Sequence, residues 1–352
     1  MNALGERIAA LIAAQGPVSI ADFMTLAGGQ YYATHDPFGR GGDFVTAPEI
    51  SQVFGELLGL WCVQVWHDQG RPKRARLVEL GPGRGTLMAD ALRAARLAPE
   101  FLDGLDIVLV EASPALRAIQ EETLKGLGVR WTDRFDSQLS DRPLFLIANE
   151  FFDALPIRQY VKTARGWRER MVTLANGKLD FALTPVAVPD AFIPASRADA
   201  PDGAVYEVCQ PALSLTDEIA RIVAIQGGGA LVVDYGYDGV DFGETLQAIA
   251  DQSFAAILDD PGESDLSAHV DFVGLAATAA RAGAAVFGPA TQAAFLDDLG
   301  IVRRFEQLAT RNPRAANELW PQLDRLVSPD QMGTLFKALA LLPRAVPDPP
   351  GF

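Results

Sequence analysis

The sequence predicts an α/β fold: a mostly parallel sheet covered by helices on both faces, with an N-terminal helical segment and an inserted antiparallel β meander. Three observations carry this. Short apolar runs alternate with segments of helical period along much of the chain. The runs are continuously apolar, as strands buried on both faces are. One stretch switches to apolar–polar alternation around an Asn-Gly pair, which marks a tight hairpin.

In order, Met1 to Gln15 sets Leu4, Ile8, Leu11 and Ile12 at helical spacing, and its early Glu6 and Arg7 do not suit a signal peptide. From Ile50 to Gln69, Val53, Phe54, Leu57, Leu58, Trp61 and Val65 follow the same period. Ala75 to Leu80 is a strand, Gly81 to Gly85 a glycine turn and Thr86 to Leu97 a helix, the opening of a βαβ unit. Further strands are read at Ile107–Val110, Val129–Trp131, Leu144–Ala148 and Ala230–Val233, with a helix over Ser113 to Leu127. Between Ile157 and Leu183 the alternation of the meander appears, and Asn176-Gly177 fits a type I′ turn. Pro185 to Gly203 reads as an extended surface connection, Val205 to Val208 as a further strand and Leu213 to Ile225 as a helix. Gly236 to Ser267 is loop-rich, Asp271 to Ala282 helical, and Thr334 to Leu342 a late strand. The Pro-rich tail from Pro343 to Phe352 is expected to fray.

The 352 residues are 49% hydrophobic and 21% charged, a globular composition with room for two domains or one large domain with an insertion. No apolar run approaches the roughly 20 residues that span a bilayer. With 45 acidic against 30 basic side chains the net charge is -15, which disfavours nucleic acid and suits a cationic partner. Cys62 and Cys209 cannot build a disulfide framework, and His35, His67 and His269 show no zinc-ligand spacing, so no metal is expected. These features read as a cytoplasmic enzyme.

The sharpest motif is Glu79-Leu-Gly81-Pro-Gly83-Arg-Gly85. Thr86 stands where a dinucleotide fingerprint needs glycine, and no Lys-Ser or Lys-Thr follows, which excludes a P-loop. The acid-x-G-x-G-x-G pattern resembles motif I of class I S-adenosylmethionine-dependent methyltransferases. Glu111 closes the next strand, where a carboxylate can accept from both ribose hydroxyls; the alternative is a solvated strand-end acid. Asp133 follows the third strand, where the methyltransferase pattern places an adenine contact; an Asx turn explains it equally. The fourth strand ends in Asn149-Glu-Phe-Phe-Asp-Ala-Leu-Pro156, so Asn149, Glu150 and Asp153 should face the ligand beyond the strand ends. Two carboxylates beside two aromatics suit a cation, or else form a helix N-cap and its neighbour.

Ala148 to Gln159 resembles the signature of the MidA-type methyltransferases. Gly42 to Ser51, Val233-Asp-Tyr-Gly236, Ala268 to Phe272, Gly288 to Gln292 and Met332 to Lys337 match in order, from about Gly16 to Leu342. One departure lies between Met24 and Tyr31, where the family carries a longer stretch ending in Gly-Tyr-Tyr. The resemblance implies a Rossmann-like, seven-stranded class I sheet and S-adenosyl-L-methionine as cofactor. Its mitochondrial members are protein arginine methyltransferases acting in respiratory complex I assembly. This implies symmetric dimethylation of a complex I subunit, in the cytoplasm of a bacterium or the mitochondrial matrix of a eukaryote. The expected organisation is a helical or lid segment over 1–70, a cofactor-binding core over 71–156 and 229–342, a substrate-facing insertion over 157–228 and a tail over 343–352.

On this reading Glu79, Gly81, Gly83, Gly85, Glu111, Asp133 and Asn149 hold the cofactor, with Asn149 at its methionine end. Glu150 and Asp153 are the catalytic pair: carboxylates can anchor a guanidinium and localise its charge on two nitrogens, leaving the third more nucleophilic. Gly42 to Ser51 either closes over the cofactor carboxylate through Thr46 and Ser51 or is an ordinary capped helix start. His269 is a general base or a structural histidine, and Asp271 a helix cap. A small-molecule methyltransferase and a non-catalytic assembly factor stand as the alternatives.

Overall fold

The chain is described by a computed structural model over residues 1–34, 45–239, 243–314 and 316–352. His35, Gly42, Asp43 and Phe44, and residues 240–242 of the Gly236–Ser267 stretch, lie outside the described residues.

The main sheet contains β1 (Ala75–Leu80), β2 (Leu105–Val110), β3 (Val129–Thr132), β4 (Leu144–Asn149), β5 (Gly228–Tyr237), β6 (Ala285–Thr291) and β7 (Phe336–Leu342). Their spatial order is β6-β7-β5-β4-β1-β2-β3, with the two-residue strand Val270–Asp271 added beside the end of β5. From β3 to β5 all pairings are parallel, whereas β7 runs antiparallel to both β5 and β6. The seven-stranded, mostly parallel expectation holds.

β1, β4 and β7 are buried along their whole lengths, so successive side chains feed two cores. Leu77, Phe145, Leu231 and Ala338 meet Phe54, Leu58 and Trp61 on one face. Val78, Leu146, Val232 and Leu339 meet Ile219, Val223 and Leu275 on the other. The helix Gln52–Asp68 lies directly on Thr86–Ala95, and a Cβ at Gly59 would come 2.5 Å from the Ala91 Cα. That close approach is what the glycine permits.

The meander forms a second sheet from Arg158–Thr163, Gly166–Ala175, Lys178–Leu183 and Val205–Val208, which Val18–Ser19 joins against Met171 and Val172. Asn176 and Gly177 take φ of 51° and 77°, as the type I′ turn requires. The helices Ala3–Gln15 and Ile20–Thr34 pack on this sheet, while Gln52–Asp68 packs on the main one, so the first 70 residues divide between two cores.

Three expectations are corrected. Gly236–Ser267 contains a three-stranded antiparallel sheet (Gln247–Ala250 between Ser253–Ala255 and Asp265–Ser267) whose strands lack apolar length. Pro185–Gly203 is not fully a surface connection, because Arg197 and Ala200 are buried. The tail is docked rather than frayed: Trp61 Nε1 donates to the Pro350 carbonyl at 3.2 Å, and the Phe352 ring packs on Phe295 at 5.3 Å.

Candidate active site

The site lies beyond the carboxyl ends of β1 and β4, beside the point where strand order reverses. Gly81, Gly83 and Gly85 all have positive φ (59°, 53° and 81°). A Cβ at Gly81 would stand 2.7 Å from the Phe151 ring, so the loop after β4 closes over the turn only because glycine is there. Thr46, Glu79, Gly81, Gly83, Asn149 and Glu150 line one cleft. Glu79 is 3% exposed and its Oε2 has no hydrogen-bond partner. Burial pushes its carboxyl up to about 8.

Glu111 borders the turn through a buried hub that the sequence reading missed. Its Oε1 accepts from the Ser113 N–H at 2.7 Å and its Oε2 from Gln120 Nε2 at 3.2 Å. Gln120, wholly buried, also donates to the Gly83 carbonyl at 2.7 Å and accepts from Trp131 Nε1 at 2.8 Å. Helical spacing within Ser113–Leu127 could have indicated Gln120 as inward-facing; nothing in its identity indicated the hub. Burial raises the Glu111 carboxyl, and the Ser113 and Gln120 donors oppose that rise. Asp133 instead points outward, its side chain 83% exposed and paired with Arg117 at 2.5 Å.

The loop after β4 is shaped by Asp234, which also escaped the residue-by-residue reading. Its buried Oδ2 accepts from the backbone N–H groups of Phe151, Phe152 and Asp153 at 3.1, 2.9 and 3.3 Å. Glu150 sits at φ 49°, a left-handed conformation that costs a non-glycine residue about 1–2 kcal/mol. The signal available for Asp234 was its place at the carboxyl end of the strand beside β4.

The Glu150 Oε1 accepts from the Ala47 N–H at 3.0 Å and from Asn149 Nδ2 at 3.1 Å, leaving the Asn149 Oδ1 buried without a partner. Burial pushes the Glu150 carboxyl up to about 7. Asp153 is 7% exposed; its Oδ2 accepts from the Tyr235 hydroxyl at 2.6 Å, while its Oδ1 has no partner. Burial pushes Asp153 up to about 6 against the opposing Tyr235 bond. Asp234 is driven well above the usual carboxylate range by burial and by its neighbours Asp153 and Glu150. Among the described residues Glu150, Asp153 and Asp234 make no ion pair, although the Arg325 charge opposes the rise of Glu150.

Thr46 precedes the short helix Ala47–Ile50 with its hydroxyl making no capping bond. Ser51 does cap: its buried hydroxyl accepts from the Val53 N–H at 3.4 Å, and it borders a neighbouring cleft with Asp90 and Asn312. Asp271 caps Phe272–Ala282 through the Gly274 N–H at 2.9 Å. His269 meets the Tyr235 ring edge-on at 5.5 Å, on the wall of a second cleft of about 320 Å³ that Phe152, Tyr206 and Tyr237 also line. Cys62 is fully buried, and Cys209 is half-buried with its thiol donating to the Pro156 carbonyl at 3.5 Å. Among the described residues no three His, Cys, Asp or Glu side chains are grouped as metal ligands.

Residues 57–290 match the family described as "Putative S-adenosyl-L-methionine-dependent methyltransferase". The chain belongs to this family. Protein arginine methyltransferase NDUFAF7, mitochondrial, from Danio rerio is 36% identical over 96% of this chain and 86% of its own length. The Homo sapiens protein of that name is 37% identical over 94% of this chain and 81% of its own. A crystal structure of a superfamily member from Burkholderia thailandensis, bound to S-adenosyl-homocysteine, superposes with a TM-score of 0.87 at 30% identity, covering 99% of this chain and 94% of that one.

This chain is therefore an S-adenosyl-L-methionine-dependent methyltransferase. Its residues fit the cofactor. The buried Glu79 Oε2 and Asn149 Oδ1 offer unsatisfied acceptor oxygens to a cationic ligand in the cleft. Glu111, fixed by Ser113 and Gln120, offers a carboxylate beside the glycine turn for a diol.

Proposed function

We propose that the chain methylates arginine side chains of a protein, by symmetric dimethylation, and that the acceptor is a respiratory complex I subunit under assembly. The observation that carries the arginine reading is the set of buried carboxylates, Glu150, Asp153 and Asp234, without a compensating ion pair among the described residues. Burial raises these carboxyls and favours their neutral form, and a cation brought beside them would favour their ionisation. The mitochondrial relatives named as protein arginine methyltransferases support the same reading.

The bound cofactor supplies an electrophilic methyl on a sulfonium. Glu79 and Asn149 would hold its cationic end, Glu111 its ribose, and Thr46, which lines the same cleft, its carboxylate. Glu150, locked by Ala47 and Asn149, anchors a planar guanidinium. Asp153 presents its free oxygen to the same group and orients the attacking nitrogen, so positioning supplies much of the rate. Asp133 and Ser51 take no part on this reading beyond shaping the surface and the helix start.

We further divide the molecule into a cofactor core (71–156 and 229–342), an acceptor-facing insertion (157–228), the N-terminal segment (1–70) and the tail (343–352). The second cleft, shared between insertion and core, supports that division. The compartment goes with the source: bacterial cytoplasm, or the mitochondrial matrix in a eukaryote.

Labelled methyl transfer into lysate from cells lacking the protein tests the reading. Label on arginine of a complex I subunit is expected; label on a metabolite overturns it.

A further inference from the structure

We propose that Tyr235 is a positioning residue that sets Asp153 as the proton acceptor of methyl transfer, by donating to one of its two carboxylate oxygens. This rests on the arginine reading above. The Tyr235 hydroxyl donates to the Asp153 Oδ2 at 2.6 Å; Ser267, which accepts from Gln247 Nε2 at 3.3 Å, opposes the burial-driven rise of the Tyr235 hydroxyl. Ser267 is fully buried and Tyr235 and Asp153 nearly so, which keeps water from replacing the Tyr235 donor.

The Tyr235 hydroxyl reaches only one carboxylate oxygen. Oδ1, buried and without a partner, is left for the acceptor. The Asp153 backbone is fixed on both sides: its N–H donates to the Asp234 Oδ2 at 3.3 Å and its carbonyl accepts from the Ala268 N–H at 3.0 Å. The groups around Asp153 are Glu150 on its own loop, Asp234 and Tyr235 on β5, and Tyr32 on the helix Ile20–Thr34, which donates to Asp265 at 2.8 Å. His269 meets the Tyr235 ring edge-on at 5.5 Å.

Asp153 Oδ1 takes one N–H proton from the acceptor as the N–CH₃ bond forms and the S–CH₃ bond breaks, the electron pair staying on sulfur. The guanidinium keeps one positive charge, the sulfonium charge is lost, and Asp153 becomes a neutral acid that later returns its proton to water. The Tyr235 donor lowers the proton affinity of Asp153 against burial, so that it is ionised when the acceptor arrives.

The test titrates the full-length, cofactor-free protein with ¹³C-labelled aspartate by NMR, Asp153 being assigned through Asp153→Asn. In Tyr235→Phe the Asp153 midpoint should rise by about one pH unit, about 1.4 kcal/mol, and in Ser267→Ala by less in the same direction. The acid limb of kcat/KM should move by the same amount, with KM for S-adenosyl-L-methionine unchanged. An unshifted midpoint in a variant that still binds S-adenosyl-homocysteine overturns the proposal. Should Tyr235→Phe not fold, Ser267→Ala decides. Failure of the arginine reading would show separately, as a product other than methylarginine.

Discussion

Glu111 has two donors aimed at it before any ligand arrives, the Ser113 N–H and Gln120 Nε2. Substituting Glu111→Ala removes the diol acceptor and strands both donors, so S-adenosyl-homocysteine should bind about 10–100-fold more weakly in calorimetry, about 1.4–2.7 kcal/mol. Unchanged affinity would remove Glu111 from the ribose role. Glu150→Gln keeps an oxygen for the Ala47 N–H but discards the charge, so methyl transfer should fall at least 100-fold with cofactor affinity nearly intact. Single-turnover kinetics at saturating cofactor would read this; near-normal turnover would withdraw the anchor role. The glycine turn and the acids Glu79, Glu111, Glu150 and Asp153 could be singled out in sequence as candidates because they lie at or just beyond the ends of apolar strands. Asp234, Tyr235 and Gln120 were not, because their roles come from hydrogen bonds between segments far apart in the chain.

Contact between the helices Gln52–Asp68 and Thr86–Ala95 depends on Gly59 having no side chain. A methyl there would press on the Ala91 backbone at 2.5 Å, and overpacking costs about 1–3 kcal/mol. Helix propensity alone would instead favour Gly59→Ala by up to ~1 kcal/mol. Thermal melting separates the two effects: a lower midpoint is expected, and a raised one would refute the packing argument. Strands buried on both faces and the Asn176-Gly177 hairpin could be read from pattern alone, because their periodicity and turn chemistry are local. The sheet around Gln247–Ala250 could not, since strands of three or four residues carry too little periodicity. Nor could the docked tail, which is held by Trp61 and Phe295 from elsewhere in the chain.

At the scale of the whole molecule, the buried acids make stability depend on pH. Glu79, Glu150 and Asp153 titrate near 8, 7 and 6 when folded, above their ordinary values of 4.5, 4.5 and 3.8. The folded chain thus holds extra protons over that interval. Their stabilising contribution is complete below the ordinary values and lost as pH rises through about 6 to 8. Asp106, held near 2 chiefly by the Arg130 hydrogen bond, acts oppositely: its contribution is present above 3.8 and fades as pH falls toward 2. The melting temperature of the cofactor-free protein should therefore be higher near pH 5 than at pH 8.5. Saturating S-adenosyl-homocysteine should flatten the decline, because its ammonium offers Glu79 a counter-charge. A midpoint rising from pH 5 to 8.5 would contradict this account.

The last core strand in the chain, β7, is not an edge strand but sits between β5 and β6. During synthesis the long β5 must emerge and wait, one flank unpaired, while about 100 more residues are made. That flank is a template for any passing strand, including β5 of another nascent chain. Chains released before Phe336 should accordingly be recovered as aggregates or bound to chaperones rather than as a soluble, weakened enzyme. For this protein the timing of translation bears on yield, and slow translation between β5 and β7 would be a hazard.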